Sequence, residues 1–97
     1  PGYNASKAGA AGLTRTLGKA WAPDGIRVNG IAPGLIATKM TKVTTDNPQR
    51  REATVKSIPV GRIGDPDDMA GLALFLASPL AGYIVGQTII ADGGLLL

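Results

Sequence analysis

The residues of this 97-residue chain best suited to chemistry are Tyr3 and Lys7, a phenol and an ammonium four positions apart in a stretch, Tyr3-Asn4-Ala5-Ser6-Lys7, that reads as helix. Four positions make one helical turn, so both side chains emerge on one face and the ammonium can lie beside the phenol oxygen. A free phenol, with a pKa of about 10, is a poor base at neutral pH. A cation about 5 Å away at an effective dielectric near 20 favours the phenolate by about 3 kcal/mol, which draws the phenol toward neutrality. A phenol tuned in this way serves as general acid in one direction and as base in the other. The same pair also occurs on solvated helix faces, so the spacing needs the rest of the chain to decide its meaning.

The elements that must position this pair follow in order. A first helix is predicted over Tyr3 to Trp21, with a small surface at Ala5, Ala8, Gly9, Ala10, Ala11 and Gly12 and an apolar stripe at Ala10, Leu13, Leu17, Ala20 and Trp21. Glycine costs about 1 kcal/mol against alanine inside a helix, so Gly9 and Gly12 predict the close approach of another backbone or helix. Arg15 and Lys19 lie late in the helix, where cations complement its dipole. Ala22-Pro23-Asp24-Gly25 ends the helix, Ile26 to Ala32 reads as a strand, and Pro33-Gly34 stops it. Ligands of open parallel sheets bind beyond the carboxyl ends of strands, which places Pro33 to Thr38 where a ligand would be met.

Lys39 to Lys56 is polar and poorly periodic, with a break at Thr44 to Pro48, and reads as a lid of short helical pieces. Asp65 is expected to cap a helix whose first position is Pro66 and whose first turn carries Asp67 and Asp68. Its buried stripe would be Met69, Leu72, Ala73 and Leu76, and the acids read as a capping device, with no metal or acid–base role. Thr88 to Ala91 reads as the last strand, related to the first by a right-handed parallel crossover. In Asp92-Gly93-Gly94 the glycines let the chain pass close to a neighbour, and Asp92 reads as a structural hydrogen-bond partner. Leu95 to Leu97 form an apolar end, exposed unless another subunit covers it.

Composition narrows the function. The net charge is +3, but the basic residues are dispersed and aromatics are few, which argues against a nucleic-acid partner. The chain has no cysteine, which suits a cytoplasmic location. The uncharged run from Met69 to Ala91 is 23 residues long, but Ser78-Pro79, Gly82, Gly86, Gln87 and Thr88 divide it into a helical and a strand half, so no membrane span is expected.

Tyr3-Asn4-Ala5-Ser6-Lys7-Ala8-Gly9 resembles the Tyr-x-x-x-Lys signature of the short-chain dehydrogenase/reductase family, classical type. Arg27-Val28-Asn29-Gly30-Ile31-Ala32-Pro33-Gly34, Gly61-Arg62-Ile63-Gly64-Asp65-Pro66 and Asp92-Gly93-Gly94 follow in the family's order. The resemblance implies an α/β fold: the C-terminal part of a doubly wound Rossmann-type parallel sheet, ordered helix, strand, lid, helix, strand. Residues 1–97 would be one portion of a single oxidoreductase domain, with 39–57 as substrate lid. The Gly-rich dinucleotide loop and the catalytic Ser and Asn are expected upstream, so these 97 residues alone are expected to be inactive. The implied activity is interconversion of a small-molecule carbonyl and alcohol with NAD or NADP, in a homo-oligomer (dimer or tetramer). Tyr3 would be the acid–base residue, and Lys7 would activate it and hydrogen-bond the nicotinamide ribose. Pro33, Gly34, Ile36 and Thr38 would approach the nicotinamide, and Met40 and Val43 would touch substrate. Two other readings stay open: an epimerase or dehydratase of the extended relatives, which share Tyr-x-x-x-Lys, and a non-catalytic assembly fragment.

Overall fold

The computed structural model describes residues 2–34, 36 and 47–97, with residues 2–4 and 6 described by their backbone. Along the chain run α1 (Gly2–Trp21), β1 (Gly30–Pro33), α2 (Pro48–Ser57), α3 (Pro66–Ala77) and β2 (Thr88–Ala91). The strands form a two-stranded sheet. Gly30 N–H donates to the Gln87 carbonyl at 2.8 Å and Gly34 N–H to the Ala91 carbonyl at 3.1 Å, an unchanging offset that makes the pair parallel. The α/β class expected from the sequence is therefore present. Among the described residues, no helix is long and apolar enough to cross a membrane.

The chain divides into two compact units, the first within residues 1–31 and 73–89 and the second within 32–72 and 90–97. In the first unit, α1 is stopped by a 3-10 turn at Ala22–Asp24, and the N–H groups of Gly25 and Ile26 return to the Ala22 and Trp21 carbonyls. The helix is anchored by its C-terminal half. A Cβ on Gly18 would lie 2.7 Å from Gly86 Cα, and one on Gly30 would lie 3.4 Å from Thr14 Oγ1. The predicted close approach thus occurs at Gly18, whereas among the described residues nothing lies within 4 Å of a Cβ on Gly9, and a Cβ on Gly12 would meet only Arg15. The apolar stripe also differs from expectation: Leu13 is 59% and Trp21 42% exposed, and the close approaches of α1 are made by the small residues Thr14, to Gly30 of β1, and Gly18, to Gly86 and Val28.

The first strand is shorter than the predicted Ile26 to Ala32 and includes Pro33, which was expected to stop it. Opposite Val28 stands Gly86, whose N–H donates to the Val28 carbonyl at 2.8 Å from a left-handed backbone (φ 72°) that cannot continue a ladder. Arg27 and Asn29, two apart and so on one side of the chain, are taken up by the connection from α3 to β2. The Arg27 guanidinium donates to the carbonyls of Leu76 and Ala81, both at 2.8 Å, and of Ser78 at 3.1 Å, closing the C-terminal end of α3. Asn29 donates to the Ile84 carbonyl at 2.9 Å and accepts from Gln87 N–H at 3.0 Å. Ala81 is buried in this unit.

In the second unit, α2 starts where the sequence suggested a break: Asn47 accepts from the N–H groups of Gln49 and Arg50 at 3.1 Å, with Pro48 next. The remainder of the predicted lid, residues 39–46, lies outside the described residues. Ala32 and Ile58 are the buried apolar residues of this unit among those described. The stripe Met69, Leu72, Ala73, Leu76 is not fully buried as expected: Ala73 is exposed and the other three are half-buried. Strands of four residues offer these side chains little surface to pack on.

Candidate functional site

Within the first unit, Tyr3 and Lys7 stand one turn apart in the N-terminal part of α1. Alanines favour helix in this stretch, and along the axis Lys7 lies about 16 Å and Tyr3 about 22 Å from the anchor at Gly18. Placement on a regular helix fixes the backbone register of residues 3 and 7 more tightly than a loop would. Lys7 is exposed, and among the described residues it makes no ion pair. A free ammonium with a phenol one turn away is a donor set suited to a ribose diol and to an oxygen that gains or loses a proton.

In the second unit the chain leaves β1 through Pro33 and Gly34. A Cβ on Gly34 would lie 2.7 Å from Asp92 Cβ and 2.8 Å from its Cα, so this turn presses against β2's end. Asp92 is held in turn: Oδ1 accepts from Gly94 N–H at 2.9 Å and Oδ2 from Leu96 N–H at 3.1 Å, the structural role expected of it. Gly93 also packs closely, since its Cβ would meet Ile58 and Val60 at 2.8 Å. Ile36 forms a parallel bridge with Gly64. Ile36, Ile58, Val60, Gly64, Met69 and Gly93 line part of a cavity of about 210 Å³ with Arg62 and Asp68 at its polar side. That volume is below the range of pockets that enclose a whole drug-sized ligand, and far short of a dinucleotide.

The sequence reading missed Arg62. Its guanidinium grips Asp68 with two hydrogen bonds, 2.8 Å to Oδ2 and 2.9 Å to Oδ1, while Asp68 Oδ2 also accepts from Asp65 N–H at 2.7 Å. Asp65 Oδ1 reciprocates by accepting from Asp67 N–H at 2.9 Å, completing the expected cap. An acid three positions after the cap residue was the available signal for the reciprocal bond. The Arg62 hydrogen bonds, and then the Asp65 N–H, hold the Asp68 carboxyl well below the usual carboxylate range. A depressed folded-state pKa contributes stability that is present above the unfolded value of about 4 and lost as pH falls toward the folded value. As pH falls below about 4 this contribution to the N-terminus of α3 should therefore fade, and the protection of the Asp65 amide, taken relative to its intrinsic exchange rate at each pH, should drop there while staying constant from about pH 5 to 7.

Of the predicted site residues, Tyr3 and Lys7 share α1, whereas Pro33, Gly34 and Ile36 belong to the second unit. Thr38, Met40 and Val43 lie outside the described residues. Among the described residues no group of three acidic, His or Cys side chains gathers that could hold a metal.

Comparison with known proteins adds to this geometry. The profile of the enoyl-(acyl carrier protein) reductase family matches residues 1–96. A 2-dehydro-3-deoxy-D-gluconate 5-dehydrogenase of Bacillus subtilis is 48% identical over 94 residues, covering 97% of this chain and 37% of that protein. A 3-oxoacyl-(acyl-carrier-protein) reductase of Chlamydia pneumoniae is 50% identical over 93 residues, covering 96% of this chain and 37% of that protein. Among solved structures, the NADP active-site complex of Pseudomonas aeruginosa RhlG superposes with a TM-score of 0.90 at 43% identity, over 98% of this chain and 38% of that one. The chain thus spans 37% of the length of these two curated relatives.

Proposed function

The chain belongs to the short-chain dehydrogenase/reductase family, and from that premise we propose that it supplies the acid–base pair and the nicotinamide-facing turn of an NAD(P)-dependent oxidoreductase. The reaction is the interconversion of a carbonyl and an alcohol. The observation that carries this reading is the exposed ammonium of Lys7, free of ion pairs among the described residues, one helical turn after Tyr3. NAD(P)H, when bound, supplies the hydride that reaches the carbonyl carbon. Tyr3 gives its phenolic proton to the carbonyl oxygen as negative charge develops there, and takes it back from the alcohol in the reverse direction. Lys7 stabilises the phenolate and donates a hydrogen bond to the nicotinamide ribose. In this reading Pro33, Gly34, Ile36 and Thr38 would face the nicotinamide, Met40 and Val43 would face the substrate, and residues 39–57 would serve as the lid that excludes water.

The relatives are named for 2-dehydro-3-deoxy-D-gluconate and for 3-oxoacyl-(acyl-carrier-protein), so the substrate proposed here is a ketone or secondary alcohol of one of these kinds, handled by a homo-oligomer. The test is oxidation of NADH or NADPH by the full-length protein across a panel of both. Absorbance loss matched by one equivalent of alcohol is expected, and a protein that binds neither dinucleotide would overturn the proposal.

Lys7→Met isolates the second half of the pair. Loss of the cation raises the phenol pKa, so the rising limb of alcohol oxidation should move to higher pH, while dinucleotide affinity falls about tenfold with the lost ribose bond. Steady-state pH profiles and dinucleotide titration would show both effects. No change in either rejects the assignment.

A further inference from the structure

The loop before α3 ends in a three-residue problem: Gly64 bridges Ile36, yet it lies in a stretch with another glycine, Gly61, at φ 87°, which unrestrained would sample many conformations. The restraint is visible on both sides of Gly64. Before it, Val60 N–H donates to the Gly93 carbonyl at 3.0 Å and Gly61 N–H to the Ile58 carbonyl at 2.8 Å, and Arg62 is fastened twice to Asp68. After it, Asp65 N–H is fastened to the same carboxylate. One side chain in the first turn of α3 therefore holds both flanks of the residue that pairs with Ile36.

We propose that Arg62 and Asp68 are positioning residues of the oxidoreductase: by fixing Gly64 they fix the Ile36 backbone at the height at which it meets the nicotinamide. This rests on the reading of Ile36 given above. An exposed single ion pair adds little to overall stability, but a two-pronged guanidinium–carboxylate pair that also accepts a backbone N–H specifies geometry. Arg62 and Asp68 are partly exposed, so their loss should displace the loop more than it unfolds the protein. The nicotinamide half of the cofactor would register that displacement and the adenosine half would not.

The discriminating experiment uses Asp68→Asn and Arg62→Lys in the full-length protein, measuring affinity for NADH or NADPH, whichever the wild type prefers, beside ADP-ribose or its 2′-phosphate, which lack the nicotinamide. Reduced dinucleotide affinity should fall about fivefold or more in Asp68→Asn, with a slower hydride-transfer step, since small misplacements carry large rate effects. ADP-ribose affinity should stay within about twofold. Arg62→Lys, which keeps the charge but loses the fork, should fall between wild type and Asp68→Asn. Equal losses for both ligands would assign the pair to general stability, and unchanged values for both would remove any positioning role; either overturns the inference. Those results, in a protein that still oxidises NAD(P)H and loses turnover on Tyr3→Phe, leave the oxidoreductase reading intact. A wild type that binds neither dinucleotide removes both.

Discussion

Tyr3→Phe in the full-length protein should lower kcat about a thousandfold, within the range that a positioned general acid contributes, and leave dinucleotide affinity within a few fold. The phenyl ring fills the same space and keeps the helix, so the substitution deletes one proton donor and little else. The developing alkoxide would then have to take its proton from water. On the proposed reading the ammonium of Lys7 would remain to donate to the ribose, which is why binding and turnover should separate. A residual rate above a tenth of wild type, with intact binding, would show that another group moves the proton. Parallel loss of binding and turnover would instead place Tyr3 in cofactor recognition.

What the sequence made legible was local. The Tyr3–Lys7 pair follows from helical period alone, and the helix around it from alanine content and the Pro23–Gly25 stop. Pro66 with its flanking acids announced α3, and the β-branched Thr88-Ile89-Ile90 announced β2. What stayed hidden depends on pairs distant in sequence. Gly18 looks like any other small residue of α1 until Gly86 is seen against it, whereas Gly9 and Gly12, equally suggestive in sequence, meet nothing of that kind among the described residues. Ile26 to Asn29 alternates like a strand, yet its polar members bond to the connection between residues 76 and 87. No local pattern in residues 26–29 specifies that Gly86, the residue opposite Val28, is left-handed. Arg62 was nearer to hand: an arginine shortly before a capped helix start, with an acid at the third helical position, is a pair that spacing alone could have suggested.

Gly34→Ala tests whether the turn after β1 is held as tightly as its contacts imply. Gly34 does not have a left-handed backbone, so alanine would not be strained there by its dihedrals, and the whole effect is steric. The new methyl would lie 2.7 Å from Asp92 Cβ and 2.8 Å from its Cα, well inside van der Waals contact. Neither atom can swing aside like the tip of a long side chain, because Asp92 is tied through both carboxylate oxygens to Gly94 and Leu96. The chains must therefore separate, at the cost of overpacking, typically about 1–3 kcal/mol, and of weakening the hydrogen bond from Gly34 to Ala91, worth about 1 kcal/mol. A destabilisation of about 2–4 kcal/mol is expected from the two together, read as a lowered Tm or denaturation midpoint. If the turn faces the nicotinamide, NAD(P)H affinity should fall in the same variant. Gly71→Ala supplies the contrast: within α3 its Cβ would meet nothing within 4 Å among the described residues, so the same added methyl should stabilise by about 0.5–1 kcal/mol through helix propensity. Opposite signs for one chemical change at two glycines would confirm that space at Asp92, and not glycine's flexibility, is what position 34 requires; a neutral Gly34→Ala would mean that β1 and Asp92 are free to part.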